Sequence, residues 1–239
     1  MQAIIVAAGT GRRLRPLTDD RPKALLELQG RSLIRRSVEQ LLGVGVQAIA
    51  VVVGYLKEQM VEHLEGLPVT YFENPDYEHT NNMASLWHAS SFVRETCLYL
   101  HSDLIFDDRL LRQLAESSLP DALLVEEKVC DAEDMKVAVR NGRLVAASKE
   151  LPAAETFGEW TGMAKFSRPY WDALMAQIET LLAQRQRQAY DTLAFTELAR
   201  QGRAVGIESF TGWPWAEIDT PADLEAARRL FPAAPDAGG

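Results

Sequence analysis

The residues richest in chemistry lie near the start of the chain: Ala7-Ala8-Gly9-Thr10-Gly11, followed by Arg12, Arg13, Arg15, Arg21 and Lys23. Glycine has no Cβ and tolerates positive φ, so such a loop lets backbone N–H groups approach a phosphate closely. Five cations in a dozen residues of an acidic protein point to an anionic ligand. Two familiar glycine loops are excluded. A dinucleotide fingerprint needs a third glycine where Leu14 stands and an acidic residue ending the second strand, Ala48–Val53. A Walker loop ends in Gly-Lys-Ser/Thr, a tripeptide the chain lacks. Carboxylates form the second group. Asp103 follows the apolar run Cys97–Leu100, at the strand end where open α/β sheets place ligands. Glu217 and Asp219, two apart, are expected on one face of a strand, where both could reach a cation; a turn and a helix start are the plain alternatives. Asn81 and Asn82 carry amides that donate and accept, suited to reading a pyrimidine edge and equally to capping a helix.

Alternating elements must position these groups. The β-branched run Ala3–Val6 reads as a buried strand, Leu25–Leu28 as a short extended piece, and Ser32–Leu42 as a helix with one apolar stripe. Strands are expected at 48–53, 69–72 and 97–100, with a helix over 57–64. Another helix starts at Asn81 or Asn82 and carries Met83, Leu86, Trp87 and Phe92. Downstream come a helix over 108–115 and a strand over 122–125. A hairpin, 136–139 with 144–147, turns on Asn141-Gly142, a type I′ signal. A strand at 161–166, helices at 169–183 and 193–200, a strand at 205–209 and a helix at 222–230 begun by Thr220-Pro221 complete the pattern. Strand–helix alternation through the first half implies a parallel sheet covered on both faces.

The run Gly9-x-Gly11-x-Arg13-Leu14, with Pro16, Thr18 and Pro22-Lys23, resembles the signature loop of nucleotidyltransferases that join an NTP to a phosphorylated metabolite. The resemblance spans residues 1 to about 230. It implies a Rossmann-like, GT-A-like α/β fold with a mostly parallel central sheet flanked by helices and a small β-hairpin acceptor lobe. It also implies Mg²⁺ held by Asp103 and Asp219, nucleotide contacts from the Gly9–Arg13 loop, and catalytic charge from Arg13 and Lys23. Gly142-Arg143-Leu144-Val145 followed by Ser148-Lys149 resembles the hairpin-plus-lysine of sugar nucleotidyltransferases, whose lysine contacts the transferred phosphates, so Lys149 inherits that role. Lys136 is a weaker candidate for the acceptor phosphate.

The segment Glu73-Asn74-Pro75 through Asn81-Asn82-Met83-Ala84-Ser85-Leu86 is similar to that of bacterial phosphocholine cytidylyltransferases and their phosphonate-cytidylylating relatives. It adds Asn74, Asn81, Asn82 and Ser85 to the nucleotide site. Two departures stand out: Glu217-Ile218-Asp219-Thr220-Pro221 replaces the Trp-x-Asp-x-Gly-Thr of sugar enzymes, and His101-Ser102-Asp103 replaces a small residue-Gly-Asp. The first disfavours a hexose acceptor. Trp160, Trp213 and Trp215 fall in segments that the family places near the site, with Glu159, Asp191 and Glu217 as acidic partners for an ammonium; filling the core edge is the alternative for the tryptophans. The partners implied are CTP and phosphocholine or 2-aminoethylphosphonate. A sugar- or inositol-phosphate enzyme is the runner-up, and a silent nucleotide-binding regulator would be expected to lack Lys23 or a metal carboxylate.

Composition sets the outer bounds. The 239 residues, 47% hydrophobic, fit one domain over 1–231, with a nucleotide half over 1–130, an acceptor half over 131–231 and a frayed 232–239 tail. A net charge of −9 argues against a nucleic-acid partner. No apolar stretch reaches the ~20 residues of a membrane span, and Met1-Gln2 leads directly into the first strand, so a cytoplasmic monomer or homodimer is expected. Cys97 and Cys130 read as buried thiols. Asp131, Glu133 and Asp134 read as a solvated loop, and His63, His79 and His88 as ordinary surface or helix positions.

Overall fold

The computed structural model describes residues 1–232; the rest of the expected tail, 233–239, lies outside them. In chain order the strands are β1 (Gln2–Ala7), β2 (Glu27–Leu28), β3 (Arg31–Ser32), β4 (Ala48–Val53), β5 (Val69–Glu73), β6 (Cys97–His101) and β7 (Leu104–Phe106). They continue with β8 (Ala122–Glu126), β9 (Lys136–Arg140), β10 (Arg143–Ala147), β11 (Gly158–Phe166), β12 (Gly206–Phe210) and β13 (Trp215–Glu217). The helices are α1 (Leu33–Gly43), α2 (Lys57–His63), α3 (Asn82–His88), α4 (Asp108–Glu116), α5 (Arg168–Ala183), α6 (Asp191–Arg200) and α7 (Pro221–Leu230).

One nine-stranded sheet runs β5-β4-β1-β6-β11-β8-β12-β10-β9. Its first four strands are parallel, as the alternation predicts. Beyond them it is mixed: β11 runs antiparallel to both β6 and β8, while β12 and β8 are parallel. Period-two alternation along β1 sends Ile4 and Val6 to one face, with the core under α3, α5 and α6. Ala3, Ile5 and Ala7 go to the other, under α1, α2 and α4. A third cluster joins Leu14, Leu26 and Leu28 to Ile218 and Leu224, and so ties the glycine loop to α7.

Local signals place most elements. Ser32, Asn81 and Ser167 cap their helices, Thr220 and Asp223 form a capping box, and Asn141 and Gly142 both take positive φ in the hairpin turn. Several boundaries differ from expectation. Helix α3 ends at His88, so Phe92 lies beyond it; β11 starts three residues early and α6 two. The piece at 25–28 is a single turn of 3₁₀ helix, Lys23–Leu25, followed by β2. Strands β7 and β13, three residues each, pair antiparallel, and β13 stops at Glu217, leaving Asp219 beyond it. The two cysteines are free thiols, Cys97 fully buried and Cys130 half-buried.

Candidate active site

The loop after β1 is pinned on two sides. Thr18 Oγ1 donates to the Gly11 carbonyl at 2.8 Å, and Gly11 sits at φ +60 with no room for a Cβ, which would meet Lys23 Cβ at 2.9 Å. On the other side the Tyr55 N–H donates to the Ala8 carbonyl at 3.1 Å, and the bare Cα of Gly54 permits that approach. The loop borders a cavity of about 330 Å³. Ala7, Gly9, Thr10, Gly11, Arg12, Arg13 and Lys23 line one side, and Asn81, Asn82, His101, Ser102, Asp103 and Tyr190 another, with Glu217 and Asp219.

The carboxylates converge through the β7–β13 pair. Glu217 lies opposite Leu104, and the Ile218 N–H donates to the Asp103 carbonyl at 2.9 Å. Lys23 Nζ then bridges Asp103 Oδ2 at 2.8 Å and Asp219 Oδ1 at 2.5 Å, while Arg13 reaches Asp219 Oδ2 at 2.5 Å. Burial and the two aspartates' charge oppose each other at Lys23, and the aspartates win, raising its pKa. Burial works against the Asp103 carboxylate, yet Lys23 and His101 hold it below the usual range. Glu217 goes the other way: burial, with Asp103 and Asp219 beside it, pushes it up to about 7. Asp103 Oδ1 is buried with no hydrogen-bond partner. Ligand atoms of His101, Asp103 and Glu217 lie within 4.8 Å of one another. An unsatisfied carboxylate oxygen amid other carboxylates fits a hard divalent cation such as Mg²⁺.

A second cavity, about 400 Å³, adjoins the first and shares Arg13, Glu217 and Asp219 with it. Its wall carries the carboxylates Glu126, Asp131, Glu133, Asp134, Glu159 and Asp223 beside the shared pair, against the cations Arg13, Lys128 and Lys149. Trp215 supplies an aromatic wall, its Nε1–H held by Glu126 Oε2 at 2.9 Å. Lys128 Nζ sits between Glu159 at 2.8 Å and Asp134 at 3.1 Å. Burial raises Glu159 to about 7 despite that ammonium.

Of the expected site residues, Ala7, Gly9, Thr10, Gly11, Arg13, Lys23, Asn81, Asn82, Asp103 and Asp219 gather at the first cavity, and Lys149, Glu159, Trp215 and Glu217 at the second. The others fall elsewhere, for physical reasons. Asp191 is fully buried, accepting from Tyr99 Oη at 2.5 Å and lying 3.0 Å from His101 Nε2, so it supports the first cavity from below and lines neither. Trp160 is a core residue whose Nε1–H donates to the Met163 carbonyl, and Trp213 stacks on Phe210 with the Arg109 guanidinium 4.9 Å away. Lys136 Nζ is taken by the Lys149 carbonyl at 2.5 Å. Asn74 is fully buried and joins Thr80, Ser85 and the Asp76 N–H, so Asn74 and Ser85 brace the loop before α3. Ala8 turns inward, 2% exposed. Glu217 also belongs to both cavities, not to the acceptor side alone. Sequence reasoning missed Lys128, read Asp134 as solvated loop and saw His101 only as a departure from pattern; Lys128 and Asp134 pair within one loop, and it is Glu159 of β11 that brings that pair to the cavity.

Comparison with known proteins agrees with this geometry. The chain is 27% identical, over 97% of its length, to a CMP-5'-(3-aminopropyl)phosphonate synthase of Streptomyces rubellomurinus, spanning 39% of that longer protein. It is 30% identical to a UTP–glucose-1-phosphate uridylyltransferase of Haloferax volcanii, over 96% of each chain. The solved structure of CTP:phosphocholine cytidylyltransferase from Streptococcus pneumoniae superposes with a TM-score of 0.82 at 23% identity, covering 96% of this chain and 98% of that one, and so shares the fold. No helix among the described residues is long and apolar enough to cross a membrane. Nucleotidyltransferases of this kind generally depend on Mg²⁺. The profile of the MobA-like NTP transferase domain matches residues 3–209, most of the chain, and the protein is thus an enzyme of that nucleotidyltransferase family.

Proposed function

We propose that the protein transfers CMP from CTP to a small phosphorylated or phosphonate amino compound, phosphocholine or 2-aminoethylphosphonate, releasing pyrophosphate. One observation carries this reading: the loop-lined cavity and the carboxylate-rich cavity meet at Arg13, Glu217 and Asp219. A triphosphate suits the first, with its backbone amides, Arg12, Arg13 and Lys23. The second combines a clear excess of carboxylates with the Trp215 face, which suits an ammonium better than a neutral hexose. The name of the aminopropylphosphonate relative supports the same acceptor class.

The acceptor oxygen is already ionised near neutral pH, so no enzyme nucleophile is required. It attacks the α-phosphorus in line, forming one P–O bond while the bond to the β-phosphate oxygen breaks and its electron pair leaves with pyrophosphate. The Gly9–Gly11 amides, Arg12 and Arg13 orient the triphosphate. Lys23 holds Asp103 and Asp219 in register and offsets charge growing on the leaving group, and Lys149 steadies the transferred phosphate from the acceptor side. Mg²⁺, held by Asp103 and Asp219 when bound, neutralises triphosphate charge. Asn81 and Asn82 face the base.

Pyrophosphate release across a grid of four NTPs and acceptors (phosphocholine, 2-aminoethylphosphonate, glucose 1-phosphate, inositol 1-phosphate) tests the reading. CTP with an amino acceptor is expected to dominate. The Haloferax relative favours a second reading, a sugar- or inositol-phosphate enzyme with the same machinery, and dominance of UTP with glucose 1-phosphate would establish that one instead.

A further inference from the structure

We propose that Asp191, acting through His101, fixes which end of the Asn82 amide faces the nucleotide, and that this selects cytosine over uracil. The inference rests on the CTP reading above and adds a positioning pair that contacts no substrate through Asp191. Asp191 is the first residue of α6, wholly buried, with Oδ1 accepting the Thr192 N–H at 3.0 Å and Oδ2 accepting the Tyr99 hydroxyl at 2.5 Å. Both oxygens thus meet donors, and each serves as an acceptor. His101 Nε2, 3.0 Å from Oδ2, must therefore carry a hydrogen and donate it.

The ring cannot swivel out of this bond. A Cβ on Gly162, at φ +79, would lie 3.0 Å from His101 Nδ1, and Trp160 and Tyr99 pack edge-on at centroid distances of 5.1 and 5.6 Å. The Asn82 end placed 3.3 Å from Nε2 is Nδ2. Two donors cannot bond, and the two ends of a carboxamide have the same shape, so the amide turns over: Oδ1 lies against the ring and Nδ2 faces the cavity that Asn82 lines. A donor pointing into that cavity matches cytosine, whose N3 accepts. It opposes uracil, whose N3 carries hydrogen.

The test is calorimetric titration of CTP and of UTP, with Mg²⁺, into the wild type and two variants. The wild type is expected to bind CTP at least tenfold more tightly than UTP. Asn82→Asp, which can only accept, should reverse the order. Asp191→Asn, whose amide can donate to Nε2 and so let the His101 hydrogen sit on Nδ1, should leave the Asn82 amide free to turn either way and bring the two affinities within about threefold of each other. A merely structural role for Asp191 would weaken both nucleotides in parallel and leave their ratio intact, and that result overturns the proposal. So does an Asn82→Asp variant that keeps the CTP preference, which decides the matter even if Asp191→Asn fails to fold. A wild type that prefers UTP would instead remove the CTP reading itself.

Discussion

Replacing Lys23 with methionine removes the ammonium that touches both aspartates and leaves Asp103, Asp219 and Glu217 facing one another. Lys23 is 13% exposed, Asp103 18% and Asp219 21%. Breaking a buried pair so that a charge is left unpaired costs about 3–5 kcal/mol. Arg13 still holds Asp219 Oδ2, which argues for the lower figure, ~3 kcal/mol. For a chain of this size that is a fall in melting temperature of roughly 6–12 °C. The cation preference of the site gives the sharper signature. Mg²⁺ at a hundred times its dissociation constant should restore about 2.7 kcal/mol to the variant. It should raise the wild type less, because there Lys23 competes for the same carboxylates. The sign with pH also follows. Glu217 titrates at about 7 in the fold against 4.5 in the open chain, so its contribution to stability is complete below 4.5 and is lost as pH rises through 7. Lys23 holds that group down, so its removal should make the melting deficit larger at pH 8 than at pH 6. Circular-dichroism melts with and without Mg²⁺ at the two pH values measure all of this. Melting at the wild-type temperature in chelator, or a deficit indifferent to both Mg²⁺ and pH, would refute the reasoning.

Three further outcomes are expected. Asp103→Asn should lower turnover by about 10²–10³, the scale of losing one element of charge stabilisation, with an unchanged far-ultraviolet spectrum; near-wild-type rates would remove the metal assignment. Glu159 is raised to about 7 by burial, so it gains its charge between pH 6 and 8, and acceptor KM should fall over that range; Glu159→Gln should flatten the profile. Gly54→Ala puts a Cβ 2.8 Å from the Ala8 carbonyl and from Tyr77 Cβ, which should cost about 1–3 kcal/mol in a denaturant melt and raise the KM for nucleotide more than that for acceptor.

What the sequence disclosed is what short-range physics writes into it. The continuous apolar run of β1, the helix starts at Ser32, Asn81 and Thr220, and the Asn141-Gly142 turn each depend on a few adjacent residues, and each stands where the pattern predicts. Gly9–Lys23 was legible for the same reason, since its glycines and cations lie within fifteen residues. Errors gather where long-range packing decides. Nothing local distinguishes Trp160, sealed under His101 and Phe195, from Trp215, which walls a cavity, or Asp191, beneath the loop-lined cavity, from Glu159, which lines the carboxylate-rich one. Strands β7 and β13 are three residues each, too short for a periodicity signal, yet their pairing brings Glu217 and Asp219 to Asp103.

That pairing also explains how an acidic protein builds a site for acidic substrates. With a net charge of −9, a triphosphate approaching the protein meets repulsion unless cations are concentrated locally. Here Arg12, Arg13 and Lys23 come from one end of the chain, and Asp103 and Asp219 from its middle and far end. Lys23 and Arg13 neutralise those aspartates. Asp103 and Asp219 would hold the divalent cation that a nucleotide brings, and Lys23 and Arg13 line the same cavity, placed to meet phosphate. The carboxylates thus stand beside balancing charge, which accounts for Asp103 and Asp219 lying largely covered in a fold that must also admit a triphosphate.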